Sequence, residues 1–310
     1  MTSTQSSSSR GYLFVFIAVL FWGGSASLAK YLFTTRFDTL IITQTRSSLS
    51  FILLAVYFAF KDRSVFRIDR ADLYKFVMVG VVGIAVTNFS YYYTVQISTV
   101  ATAILLQYTA PVLVMLYAIL VSKEEELNGL KVVSLLLALG GCYLAVSGGA
   151  GAEIQLHGWG WVAGLVSSLS FAFMLLISKR VLRKYPVWTM LVYAFGFSML
   201  FWLVVNPPWA IAAKGYSAED WGILWLFAVV SILIPHALFM KSLSLLEATS
   251  VGIASTMEPV AAIVIAYVAL GESLSGVQMV GGVAVVGAVL LLQLRPLMLK
   301  RAGGGTPHAK

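Results

Sequence analysis

One cysteine in 310 residues rules out a disulfide framework. That residue, Cys142, lies in an apolar run and reads as a small packing side chain. Histidine is almost as scarce. Three are present, one of them in the C-terminal tail, and they give no basis for a metal site. Charge is low as well, at 11% of residues, where a soluble domain carries about a quarter. With 59% hydrophobic residues and a mean hydropathy of +0.89, no packed core could absorb the apolar surface, so the solvent must be lipid. The five aspartates, at positions 38, 62, 69, 72 and 220, all fall at loops or helix ends. Paired intramembrane aspartates, H-E-x-x-H and G-x-S-x-G are all missing, which argues against a membrane protease or hydrolase. The chain is therefore read as a non-enzyme with no cofactor.

What is present is a set of apolar runs. Ten spans of bilayer length can be marked near 11–33, 39–60, 73–95, 98–121, 128–147, 158–182, 187–206, 220–244, 249–270 and 276–295. Each must satisfy its own backbone in lipid, so each is expected to be a helix. Arg10, the first run and Ser25-Ala26-Ser27 look like a cleavable signal. The run continues to Lys30 and more spans follow, so it reads as a retained first helix.

Taken alone, the net charge of +8 suggests nucleic acid, but the basic residues sit in short connections rather than on one face. With the N-terminus inside, the inner connections hold Lys61, Arg63, Arg67, Arg70, Lys123, Lys179, Arg180, Arg183 and Lys184, and the tail holds Arg295, Lys300 and Arg301. The outer connections hold little beyond Arg36 and Lys214. This asymmetry puts both termini in the cytoplasm.

The chain also repeats itself. Gln107-Tyr108-Thr109-Ala110-Pro111-Val112 leads into an apolar run ending Lys123-Glu124. Thr256-Met257-Glu258-Pro259-Val260 leads into one ending Gly271-Glu272. The prolines lie 148 residues apart, as do the two glutamates and the pair Asn88 and His236. Gly129 and Gly140 match Gly276 and Gly287 at an offset of 147, and so do Gly11 and Gly158. Several matches at nearly one offset mean duplication. The expected organisation is a disordered tail over 1–10, five-helix repeats over 11–150 and 151–296, and a cytoplasmic tail over 297–310. Five is odd, so the repeats are inverted. The fold class is all-α and integral to the membrane, with ten helices in a 5+5 arrangement. A duplicated, proline-interrupted span is a pointer to a transporter's midplane site.

Trp22-Gly23, the short connection between spans three and four, and Glu258-Pro259-Val260 with Gly271-Glu272 resemble the drug/metabolite transporter superfamily, EamA type, over almost the whole chain. The first copy departs from the pattern, with Lys123 where the second has Gly271. The resemblance implies an exporter of small metabolites, often amino acids, in a bacterial inner membrane. The aromatic content suggests similarity to the aromatic amino-acid exporters of this group. A multidrug or nucleotide-sugar carrier of the same fold stays open, as does a receptor or scaffold without flux.

Polar residues in lipid are costly, about 2.5–3.5 kcal/mol for a charge, so each candidate can be weighed. His236, beside Pro235, and its counterpart Asn88 either line the cavity or act as interhelical glue. Asn88 and Tyr92 are four residues apart, hence on one face. Tyr91, Tyr92 and Tyr93 span about 200° of a helix, and Tyr92 is favoured inward with Tyr91 or Tyr93 in an interfacial belt. Pro111 and Pro259 break their helices and free the carbonyls of Gln107 and Ser255. Gln107, Tyr108 and Glu258 flank these breaks. Glu258 either meets cargo or pairs with a neighbour such as Arg46. Arg46, in the outer part of the second span, either serves as that buried partner or snorkels to the surface. Trp22 stacks on cargo or packs. The expected site is thus Trp22, Asn88, Tyr92, Gln107, Tyr108, His236 and Glu258. The partners are a small-molecule substrate and membrane lipid. Proton coupling, facilitated diffusion and oligomeric state are left open.

Overall fold

Helix is the only regular structure among the described residues, 3–148, 158–270 and 273–303, of this computed structural model. The long helices are α1 (Ser3–Thr35), α2 (Thr39–Lys61), α3 (Arg70–Ile97), α4 (Val100–Val121), α5 (Gly129–Ser147), α6 (Gly160–Leu182), α7 (Val187–Val205), α8 (Ala218–Leu245), α9 (Ala248–Val268) and α10 (Gly276–Gly303). Among the described residues, α2 to α10 are each long and apolar enough to cross a membrane. The chain is thus an all-helical membrane protein of about ten spans.

Local chemistry sets the helix starts. Asp38 caps α2 by accepting from the Ile41 amide at 2.9 Å, and Asn128 caps α5 by accepting from Leu130 at 2.9 Å. Thr99 caps α4, and Ser217 with Asp220 forms a capping box for α8. Each satisfies amide donors that a helix start leaves free.

Two boundaries differ from expectation. α1 opens at Ser3, so the stretch expected as a disordered tail is helical from residue 3. Serine is only a moderately poor helix former, and extending a nucleated helix costs little. α10 likewise runs past 296 to Gly303. Gly149-Ala150-Gly151, the Gly271-Glu272 motif and the last seven residues lie outside the described residues.

The duplication appears in the helix breaks. α4 is interrupted at Tyr108 and Thr109, and α9 at Thr256, each three residues or fewer ahead of a proline. α3 widens to π-helical geometry over Val79–Val86 and α8 over Val229–Leu233, just before Asn88 and His236 respectively. Such bulges are frequent at functional sites.

Glycines bring the helices together. At Gly141 of α5 an added Cβ would lie 2.8 Å from the Gly281 carbonyl of α10, so these helices touch backbone to backbone. At Gly23 of α1 it would lie 2.9 Å from the Glu258 carbonyl of α9. That contact carries α1 to the second proline break.

Candidate functional site

A cavity of about 50 Å³ lies where these interruptions meet. It is enough for a few waters. Its lining is Trp22 and Ser25 from α1, Arg46 from α2, Thr87, Asn88, Tyr91 and Tyr92 from α3, Gln107 from α4, Phe171 and Met174 from α6, His236 from α8 and Glu258 from α9. α5 and α10 contribute none of these residues. α2 joins α1, α3, α4, α6, α8 and α9 in lining the cavity.

Six of the seven candidate residues thus surround one space. Trp22 meets His236 edge-on at 5.4 Å and Phe239 at 4.9 Å. Asn88 donates through Nδ2 to the Ile84 carbonyl at 2.8 Å, leaving Oδ1 toward Arg46. Gln107 Oε1 accepts from Ser167 at 2.7 Å. The exception is Tyr108. It is buried behind the cavity wall and donates its hydroxyl to Glu258 Oε2 at 2.6 Å. The break at Tyr108 aims the ring across to α9, so the first proline segment braces the acid of the second.

Arg46 does not snorkel. It is 2% exposed, and its Nη2 donates to the Ser231 carbonyl at 2.6 Å. Its Nη1 meets Asn88 Oδ1 at 3.4 Å, and the guanidinium sits 4.8 Å from the Tyr92 ring centroid. The reason is local. Pro235 has no amide hydrogen to give back along α8, and the Ser231 carbonyl four residues earlier takes Arg46 instead. The tyrosines also divide differently. Tyr91 and Tyr92 both face the cavity, whereas Tyr93 stacks on Phe89 at 5.9 Å beside an apolar groove.

Arg46, Ser25, Thr87, Tyr91, Phe171 and Met174 were not among the expected site residues. Arg46 carried a signal, a lone cation within an apolar span. Ser25 and Thr87 were ordinary helix hydroxyls. Phe171 and Met174 are indistinguishable in sequence from lipid-facing residues.

A model of the EamA-like transporter family matches residues 9–147 and again residues 158–294. The chain belongs to this family. An "Uncharacterized transporter" of Archaeoglobus fulgidus is 31% identical, covering 82% of this chain and 86% of that one. The "Uncharacterized inner membrane transporter YicL" of Salmonella typhimurium is 24% identical over 94% and 97%. The "Threonine/homoserine exporter RhtA" of Escherichia coli is 27% identical over 86% and 85%. A solved crystal structure superposes with a TM-score of 0.75 at 18% identity, over 94% of this chain and 99% of the other, and shares its fold. As an EamA-like transporter, the chain places its buried polar side chains where two halves of the fold converge.

Proposed function

We propose that this EamA-like transporter exports amino acids by alternating access around the Trp22–His236–Glu258 cavity. The observation that carries the reading is the convergence of Asn88, Gln107, His236 and Glu258, two from each half, on one cavity within the bundle. An unpaired polar group in lipid is costly, and convergence in a protein cavity fits a polar cargo. Glu258 and the carbonyls near Pro111 and Pro259 offer acceptors for an ammonium. The breaks at Tyr108 and Thr256 are the proposed hinges.

The cargo class draws support from the relatives named as threonine/homoserine exporters. A small hydroxylated amino acid also asks the least widening of a cavity of about 50 Å³. A second reading, large aromatic amino acids, is favoured by the aromatic walls of Trp22, Tyr91, Tyr92 and Phe171. The proposed setting is a bacterial inner membrane with both termini in the cytoplasm, because the basic connections share one end of the bundle.

Counterflow of labelled threonine, homoserine and phenylalanine into liposomes tests the reading. Flux of the first two with little of the third supports the small-cargo form. His236→Leu and Asn88→Leu should each lower flux while folded protein remains abundant. Absence of flux for every amino acid offered would overturn the proposal.

A further inference from the structure

We infer that Arg46, with the Tyr91 hydroxyl, forms a binding site for the carboxylate of the cargo. The inference deepens the proposed function and rests on it for the identity of the cargo, but not for the existence of the anion site.

Arg46 sits about two turns into α2 as one of the largest fully buried side chains. Among the described residues no carboxylate lies within ion-pair distance of it. Glu258, the acid in the same cavity, is instead engaged by Tyr108. A guanidinium has five N–H donors in a fixed fork. The Nη atoms reach the Ser231 carbonyl and, at longer range, Asn88 Oδ1, and the Tyr92 side chain also interacts with the guanidinium. The buried Nε has no hydrogen-bond partner. The Tyr91 hydroxyl is buried and equally without one. Both residues line the cavity. A buried cation without an anion is strongly disfavoured, and its seat against the rings of Tyr92 and Phe227, at 4.8 and 5.4 Å, offsets only part of that cost.

Unused donors on a rigid cation, a free hydroxyl and enclosure suit one planar anion. Arginine binds carboxylates through a side-on fork. Glu258 lines the same space without a hydrogen bond or ion pair to Arg46, so one cavity offers a carboxyl group and a guanidinium that do not pair with each other. A zwitterion bridging them would satisfy both.

The test is ligand binding to the purified full chain in nanodiscs, read by intrinsic tryptophan fluorescence and by thermal shift. The probes are threonine, threoninol, which lacks the carboxylate, and 3-hydroxybutyrate, which lacks the amine. Sodium chloride serves as an inorganic-anion control. Wild type should bind threonine and 3-hydroxybutyrate better than threoninol. Arg46→Met should weaken both carboxylates by about tenfold or more and leave threoninol unchanged. Arg46→Lys should fall between. Tyr91→Phe removes a hydroxyl that bonds to nothing in the folded protein. It should fold normally and weaken the carboxylates by several-fold, about what a hydrogen bond to a charged group contributes. That variant carries the test if Arg46→Met does not fold. Equal carboxylate affinity in wild type and the folded variants would overturn the inference, as would chloride competing as well as 3-hydroxybutyrate. Arg46-dependent binding of 3-hydroxybutyrate without any threonine flux would overturn the export reading and leave the carboxylate site standing.

Discussion

Charged residues join the two halves of the chain at both ends of the helix bundle; the basic end has exposed pairs such as Lys184–Asp69 and Arg183–Glu124, and among the described residues it alone also holds a fully buried lysine. At the end carrying the basic connections, Lys131 of α5 is fully enclosed. It pairs at 2.9 Å with Glu125 and at 2.9 Å with Glu247, which lies between α8 and α9. The second oxygen of Glu125 accepts from the Thr249 amide at 3.2 Å. Nearby, Lys179 of α6 donates to the Leu243 and Leu246 carbonyls at 2.8 and 2.7 Å, neutralising the end of α8. At the opposite end Arg36 reaches Asp220 and Glu219, and Lys214 meets Asp38 at 3.2 Å. Most of those groups are open to water, Asp220 excepted: the Lys214 and Asp38 side chains are 53% and 42% exposed, whereas Lys131 and Glu125 are 0% and 6%. The number of ion pairs at the two ends says little about their strength. Water screens the exposed set, while the buried set stands in a low dielectric where a lost partner leaves a bare charge.

The sharpest way to break this contrast is Lys131→Met. It strands Glu125 without its cation and should lower unfolding stability by about 3–5 kcal/mol, measured by denaturant unfolding in detergent. Adding Glu125→Leu should recover most of that loss, since removing both charges removes the desolvation cost. A single variant that unfolds like wild type would show that burial does not separate the two ends.

A middle case lies near the opposite end. Gln44 and Asn206 exchange two hydrogen bonds, Nε2 to the Asn206 carbonyl at 2.8 Å and Asn206 Nδ2 to Gln44 Oε1 at 2.7 Å. They are uncharged, Gln44 buried and Asn206 half-buried. Gln44→Leu should cost about 1 kcal/mol in the same unfolding assay. A loss as large as that of Lys131→Met would mean the far end is held as firmly as the basic end.

Arg36→Gln should have the smallest effect, with no resolvable change in the unfolding midpoint. Wild type should likewise unfold at nearly the same midpoint in low and high salt, because salt screens only the exposed pairs. A clear fall with Arg36→Gln would place structural weight on the exposed end and erase the distinction.

The order of helices was legible in the sequence because lipid imposes simple rules. Each span needs a bilayer's length of apolar residues and its own backbone hydrogen bonds. The repeat was legible because matched residues keep one offset whatever the fold does. The breaks at Tyr108 and Thr256 follow from proline chemistry, which acts within one helical turn. Trp22, Asn88, Gln107, His236 and Glu258 could be singled out because polar and bulky groups are rare in such spans.

Tertiary structure decided the rest. Whether Arg46 reached water or turned inward depended on a carbonyl four residues before Pro235, on a helix 185 residues away in sequence. Whether Tyr108 met the cavity or braced Glu258 depended on the angle at which α4 passes α9. Which of Tyr91, Tyr92 and Tyr93 line the cavity depended on how α3 is rotated against its neighbours. Phe171 and Met174 became wall residues only through the position of α6. Composition and periodicity act along the chain, so the sequence by itself determined the number, length and duplication of the helices. The pairing of buried polar groups acts across it, and only the packed bundle brings those groups within hydrogen-bonding reach.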